Sequence, residues 1–294
     1  MRLFYCDHFE IPLPDGHKFP MAKYRLLRER ILADGFWKLE PANLAPVEAI
    51  KLAHDPEYVD RFVSGTLAPN AMRRIGFPWS EGLVTRTLAS AGGTLAATRD
   101  AIETGFGGTL AGGTHHAFRA EGSGFCVFND VAIAIHCYRP KRAAVVDLDV
   151  HQGDGTAHFF EGDPNVMTIS LHGANNFPFR KQRSTIDVEL SDKTGDEEYL
   201  RALDSVLPRM IEFEPEIVFY LSGVDALASD VLGRLALTAE GLKARDIRVI
   251  TECHRHALPL AITLGGGYSK PIEVTADAHA NTFRVAAGIY GRER

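Results

Sequence analysis

The sequence predicts an α/β fold, a single domain built on one open, mostly parallel β-sheet flanked by helices on both faces. Three observations lead to it. Short apolar runs alternate with longer segments of helical period, the pattern of strands joined by crossover helices. The chain has 294 residues and 45% hydrophobic content, enough to bury one sizeable core. Reactive side chains gather just beyond the apolar runs, where open parallel sheets bind their ligands.

Taken in order, residues 2–6 form a first strand and residues 22–32 a helix. A long helical segment at 84–103 precedes a short strand at 109–111, and a helix follows at 129–137. The run Ala143-Ala144-Val145-Val146 marks a buried strand over 142–148, and a further apolar run gives a strand over 166–171. Helix 196–213, strand 217–221, helix 239–256 and strand 258–264 continue the alternation. Pro56, Pro140, Pro215 and Pro259 fall at or near the edges of these elements, where proline is tolerated. Residues 69–80, with Gly76, Pro78 and Trp79, read as an irregular loop.

Composition narrows the function classes. Net charge is −6, and no block of Lys and Arg would track a phosphate backbone, so nucleic acid is not an expected ligand. No apolar stretch reaches the roughly 18 residues that a membrane span needs, and a cytoplasmic location is expected. Cys6, Cys126, Cys137 and Cys253 are irregularly spaced without a Cys-x-x-Cys pair, so reduced thiols are expected, with neither a disulfide framework nor a cysteine-based zinc site.

The chemistry concentrates in Asp147-Leu148-Asp149-Val150-His151-Gln152-Gly153-Asp154-Gly155. On an extended chain Asp147, Asp149 and His151 share one face, and two carboxylates with an imidazole are donors that a divalent transition metal selects. Asp-x-Asp alone is a common turn; its companions carry the case. Asp149 and His151 supply two ligands, and Asp225, in Ser222-Gly223-Val224-Asp225 at another strand end, is the best third. Three protein ligands with an open position describe a catalytic zinc site.

His115-His116 needs a turn to present both rings on one side, and one ring can then serve as base toward water and as acid toward a leaving amine. Asp147 and Asp154 are left to accept a proton from one imidazole each and fix its tautomer. Tyr268 follows Gly265, Gly266 and Gly267, a loop whose backbone can approach a substrate while the phenol reaches an oxyanion.

In order and spacing these residues resemble the zinc-dependent histone deacetylase family, whose fold is shared with arginase. The resemblance rests on Gly112-Gly113-Thr114-His115-His116, Gly124-Phe125-Cys126 with Asn129-Asp130, the Asp147 to Gly155 segment, Ser170-Leu171-His172, Gly223-Val224-Asp225 with Asp230 to Gly233, and Leu264 to Tyr268. His54-Asp55-Pro56-Glu57-Tyr58 is similar to a further hallmark, so the match spans nearly the whole chain. It implies Asp149, His151 and Asp225 as ligands to one zinc ion, His116 as general base and acid, and His115 as its electrostatic partner. Asp147 would orient His115, Asp154 would orient His116, and Tyr268 would polarise the acyl carbonyl. An acyl-lysine tunnel would be lined by Gly124, Phe125 and Gly266, with either Phe177 or Phe179 as its second wall. The resemblance further implies potassium, held by main-chain oxygens of Asp147, Asp149, His151 and Leu171 with the Ser170 hydroxyl.

Two departures bear on the substrate. The segment after His172 lacks the Pro-Gly-x-Gly turn of class I and II members and is closer to the class IV branch. Residues 69–80 offer no Asp of the kind that holds a peptide backbone in class I enzymes. The expected activity is removal of acetyl or other acyl groups from acyl-lysine peptides or from acylated small amines such as acylpolyamines. An arginase-like ureohydrolase with two manganese ions is the alternative within the fold.

Overall fold

The alternation is realised as one sheet of eight strands, every neighbouring pair parallel, in a computed structural model that describes residues 1–291. The strands are β1 (Arg2–Tyr5), β2 (Lys38–Pro41), β3 (Phe106–Thr109), β4 (Ala143–Asp147), β5 (Val166–Gly173), β6 (Ile186–Leu190), β7 (Ile217–Gly223) and β8 (Leu260–Gly265). Their order is β2-β1-β3-β8-β7-β4-β5-β6. The helices are α1 (Ala22–Asp34), α2 (Val47–Lys51), α3 (Pro56–Val63), α4 (Pro69–Ile75), α5 (Glu81–Thr104), α6 (Asp130–Tyr138), α7 (Asp154–Phe159), α8 (Asp196–Glu212), α9 (Ala239–Arg255) and α10 (Ile272–Tyr290).

Strands β4, β7 and β8 are buried along their whole length, which a strand covered on both faces requires and which explains their unbroken apolar runs. Alternate residues feed two cores. Val145, Phe219 and Ala261 pack with Phe62, Phe128 and Val131, while Val146, Tyr220 and Ile262 pack on the other face with Leu3 and Phe283. Among the described residues no helix is long and apolar enough to cross a membrane.

The mostly parallel sheet that was expected is parallel throughout the described residues. Two expectations are corrected. The short strand at 109–111 is β3, displaced toward the amino end, because Gly107 and Gly108 lie close against the α5 backbone and the Phe283 ring and hide the strand's apolar signature. Residues 69–80 are not all loop: α4 occupies Pro69–Ile75, with Pro69 at its start and Gly76 left-handed (φ 90°) at its end. Strands β2 and β6 and helices α2, α3, α7 and α10 also escaped the sequence reading.

A buried brace ties α9 and α10, on one face of the sheet, to the loops beyond it. Arg245 on α9 is fully buried and donates from Nε and Nη2 to Asp246 Oδ1 at 3.0 and 2.8 Å. Its Nη1 donates to the carbonyls of Leu148 and Gly223, the segments that follow β4 and end β7. Asp246 in turn accepts from the Tyr220 hydroxyl at 2.5 Å and from Thr282 Oγ1 on α10 at 2.7 Å, so every charge in the brace is answered.

Candidate active site

The carboxyl ends of β4, β5, β7 and β8 lie along one edge of the parallel sheet, and register sets Asp147 beside Ser170 on one side and Leu221 on the other. Beyond β4 the chain turns on its own carboxylates: Asp147 Oδ1 accepts from the Asp149 amide at 3.1 Å, and Asp149 Oδ1 from the His151 amide at 2.8 Å. The Val150 amide reaches across to Asp225 Oδ1 at 2.9 Å, locking this turn to the loop after β7.

These turns bring Asp149, His151 and Asp225 together, with one ligand atom from each lying within 4.8 Å of the others. His151 Nδ1 lies 2.9 Å from Asp149 Oδ1 and 3.1 Å from Asp225 Oδ2. Both carboxylates are buried, and Asp225 Oδ2 has no hydrogen-bond partner of its own. A buried, unsatisfied carboxylate oxygen facing an imidazole and a second carboxylate is what a divalent cation would satisfy. Among the described residues this is the one such cluster of three.

The paired histidines follow β3 in a turn that Asp130 shapes. Its carboxylate accepts from the amides of Gly113 (3.0 Å) and Thr114 (2.8 Å) and from the hydroxyls of Thr94 (2.6 Å) and Thr114 (2.8 Å). Gly113 is left-handed (φ 67°), and a Cβ there would stand 1.8 Å from the Leu264 carbonyl. The rings of His115 and His116 lie 4.1 Å apart.

Each ring has its own carboxylate. His115 Nδ1 is 2.7 Å from Asp147 Oδ2, and His116 Nδ1 is 2.6 Å from Asp154 Oδ1. A carboxylate only accepts, so Nδ1 carries the proton in both and Nε2 is left open in the neutral ring. Their charge states diverge. Burial opposes protonation of His115, but Asp147 and Asp149 outweigh it and raise its pKa to about 9. His116 is held well below its ordinary value by burial and by repulsion from His115 and His151. Burial raises the Asp154 carboxyl to about 6.

A cavity of about 720 Å³ runs past these groups and is lined by His115, His116, Asp149, His151, Phe125 and Tyr268. Phe125 has a left-handed backbone (φ 66°), a strained geometry for a bulky residue. The end of α4 holds it there: the amides of Gly124 and Phe125 donate to the carbonyls of Arg74 and Ile75 at 3.2 and 2.8 Å. Of the two candidates for the opposite wall, Phe177 stands edge-on to His116 at 5.0 Å, whereas Phe179 is 87% exposed at the mouth.

Gly266 is left-handed (φ 57°), and a Cβ there would stand 2.0 Å from Asp225 Oδ2, so the glycine loop passes directly over the ligand. The Tyr268 amide donates to Asp230 Oδ2 at 2.6 Å, and Asp230 Oδ1 accepts from Leu232 and Gly233 at 2.8 and 2.9 Å. Burial pushes the Tyr268 phenol well above its ordinary pKa, so it stays protonated. Asp130 and Asp230 were visible in the sequence only as members of motifs; the Asp-x-x-Gly spacing from Asp230 was the available signal for a turn.

Comparison with known proteins gives the family of the chain. The model of the histone deacetylase domain matches residues 17–285. An uncharacterised protein of Picosynechococcus sp. is 43% identical over 97% of this chain and 98% of its own length. Histone deacetylase 2 of Arabidopsis thaliana is 31% identical over 97% of this chain and 79% of its own. A probable deacetylase of Archaeoglobus fulgidus is 30% identical over 79% of this chain and 69% of its own. The crystal structure of an HDA15 HD domain superposes with a TM-score of 0.81 at 22% identity, covering 97% of this chain and 88% of that one, and shares the fold. By domain match and sequence identity along nearly its full length, the chain belongs to the histone deacetylase family.

Proposed function

We propose that the protein hydrolyses N-acyl amines, most simply acetyl-lysine, using one zinc ion held by Asp149, His151 and Asp225. The observation that carries this reading is the convergence of that cluster with two His–Asp pairs and Tyr268 on one cavity. Two carboxylates and a neutral imidazole cancel the charge of a divalent ion and leave a fourth position open. Zinc bound there would polarise the acyl oxygen and acidify a water.

The chain's own groups do the rest. His116 is neutral, so its Nε2 takes the proton of the attacking water and returns it to the leaving amine, while Asp154 holds the ring in the required tautomer. His115, kept cationic by Asp147, adds a positive charge beside the reacting atoms. The Tyr268 phenol, which keeps its proton, donates a hydrogen bond to the oxyanion, and Asp230 fixes the backbone that carries it. Phe125 and Phe177 wall the acyl-bearing chain and limit water.

Potassium is part of the reading, on main-chain oxygens of Asp147, Asp149, His151 and Leu171 with Ser170 Oγ; the register that sets Ser170 beside Asp147 supports it. A single three-ligand cluster among the described residues favours one zinc over a pair of manganese ions. Zinc-loaded protein should release acetate and free amine in equal amounts from an acetyl-lysine peptide or an acetylated polyamine. Failure on both substrates would sink the reading.

A further inference from the structure

The same cavity has a chamber-like part lined by Phe19, Tyr24, Phe77 and Ser90 and by two cations, Lys23 and Arg86, of which Lys23 lies 5.2 Å from the Tyr268 ring. Both are 5% exposed. Among the described residues neither has a carboxylate within ion-pairing distance. Lys23 Nζ donates to the Gly266 carbonyl and lies 5.4, 5.1 and 5.2 Å from the rings of Phe19, Tyr24 and Tyr268. Arg86 donates to the Cys6 carbonyl and lies 4.4 Å from the centre of the same Tyr24 ring.

Lys and Arg are almost never buried without an anion, because the lost hydration is only partly returned by carbonyls and aromatic faces. Burial lowers the Lys23 pKa to about 8, with Asp225 and Asp149 opposing the shift from a distance. Those two are the carboxylates that a bound divalent ion would neutralise, so Lys23 has the greater need of an anion in the working enzyme. The chamber is therefore a receptor for negative charge whose walls are otherwise largely aromatic. Lys23 donates to the carbonyl of Gly266, the glycine at which a Cβ would stand 2.0 Å from Asp225 Oδ2, so a single loop lies between the ammonium and the Asp149, His151 and Asp225 cluster.

We propose that the chamber binds a carboxylate between Lys23 and Arg86, and that this carboxylate is the far end of a dicarboxylic acyl group, such as succinyl or glutaryl, carried on the substrate amine. The inference rests on the hydrolase reading given above and extends it to the acyl specificity. Water adds its hydroxyl to the acyl carbon, the C–N bond breaks, the amine takes the proton, and the diacid leaves as its salt. Neutral acyl chains of the same length would leave both cations without a partner.

The experiment compares acetyl-, butyryl- and succinyl-lysine on one peptide with zinc-loaded protein. Succinyl-lysine is expected to exceed butyryl-lysine by about tenfold or more in kcat/KM, the order of a single charge-assisted hydrogen bond. Lys23→Met and Arg86→Met should each lower that ratio about tenfold, whatever their effect on overall rate, and Lys23→Arg should retain it. Wild-type preference for acetyl- or butyryl-lysine over succinyl-lysine would overturn the proposal and leave the hydrolase intact. Equal inhibition by free acetate and free succinate, without succinyl-lysine preference, would mean that the cations meet only the released acid, which also overturns it. Hydrolysis of none of the three would instead point back to the hydrolase reading itself.

Discussion

His115 and His116 are neighbours in the chain with unlike electrostatics, and the difference lies in the residues around them. At His115 the carboxylates of Asp147, Asp149 and Asp154 outweigh burial, whereas at His116 burial and the neighbouring imidazoles outweigh the carboxylates, so one ring is driven toward the cation and the other stays neutral. That division of charge suits a base beside a fixed positive group. Tyr268 is the third actor, and Tyr268→Phe should lower kcat by about a hundredfold or more, the usual effect of losing one oxyanion donor, with the circular dichroism spectrum unchanged. Wild-type turnover by that variant would remove the phenol from the mechanism. At this scale the sequence was informative wherever a reactive type sat at a strand end: Asp149, His151, Asp225 and both histidines were legible, and the structure brings them together. Lys23 and Arg86 were not. Lys23 sits among other charged residues on α1 and Arg86 among apolar and hydroxyl residues on α5, and only tertiary packing decides that these two point inward.

Among the elements, α4 shows why short helices escape sequence reading. Pro69 and Gly76 look like loop punctuation, yet they are a helix start and a left-handed helix end, and the carbonyls of that last turn hold Phe125 in its strained conformation. The edge strands were illegible for another reason: β2 has no buried residue and β6 is buried only at its two ends, so neither carries an apolar run. The hallmark His54 to Tyr58 proves to be a joint. Asp55 caps α3 by accepting from Glu57 and Tyr58 at 2.9 and 3.1 Å, the Tyr58 hydroxyl donates to Val127 at 2.8 Å, and His54 Nε2 accepts from the Asn129 amide at 2.8 Å.

That acceptor role requires a neutral ring, and burial lowers the His54 pKa to about 4. The unfolded chain takes up a proton there near pH 6.5 while the folded one does not until pH falls to about 4, so stability is lost as pH drops through this window. Urea unfolding of the metal-free protein should show roughly 3 kcal/mol of loss between pH 6.5 and 4 from this group. His54→Gln should lose that much less over the same range. An unchanged slope would remove His54 from the acid sensitivity.

Across the whole molecule, the eight-stranded parallel sheet puts the ends of β4, β7 and β8 near its middle, where loops from several strands can meet. This arrangement was legible because central strands, covered on both faces, must be continuously apolar. The wrapping of α10 and the edges was not, since their burial depends on what they pack against. The ligand loops are tied by hydrogen bonds that involve no ion, among them Val150 to Asp225 and the Arg245 contacts. Chelation should therefore abolish hydrolysis while leaving the far-ultraviolet circular dichroism unchanged, and one equivalent of zinc should restore activity. Global unfolding on chelation would show that the ion, and not the chain, assembles the centre.

The guanidinium of Arg245 holds the carbonyls of Leu148 and Gly223 together, so the spacing of the segments that carry Asp149 and Asp225 is constrained by a residue that touches neither carboxylate. Donors whose separation is imposed from outside sort incoming ions by radius and preferred bond length. The choice of a metal bound by these ligands would thus be written partly into α9, at a position that an inspection of the ligands alone would pass over.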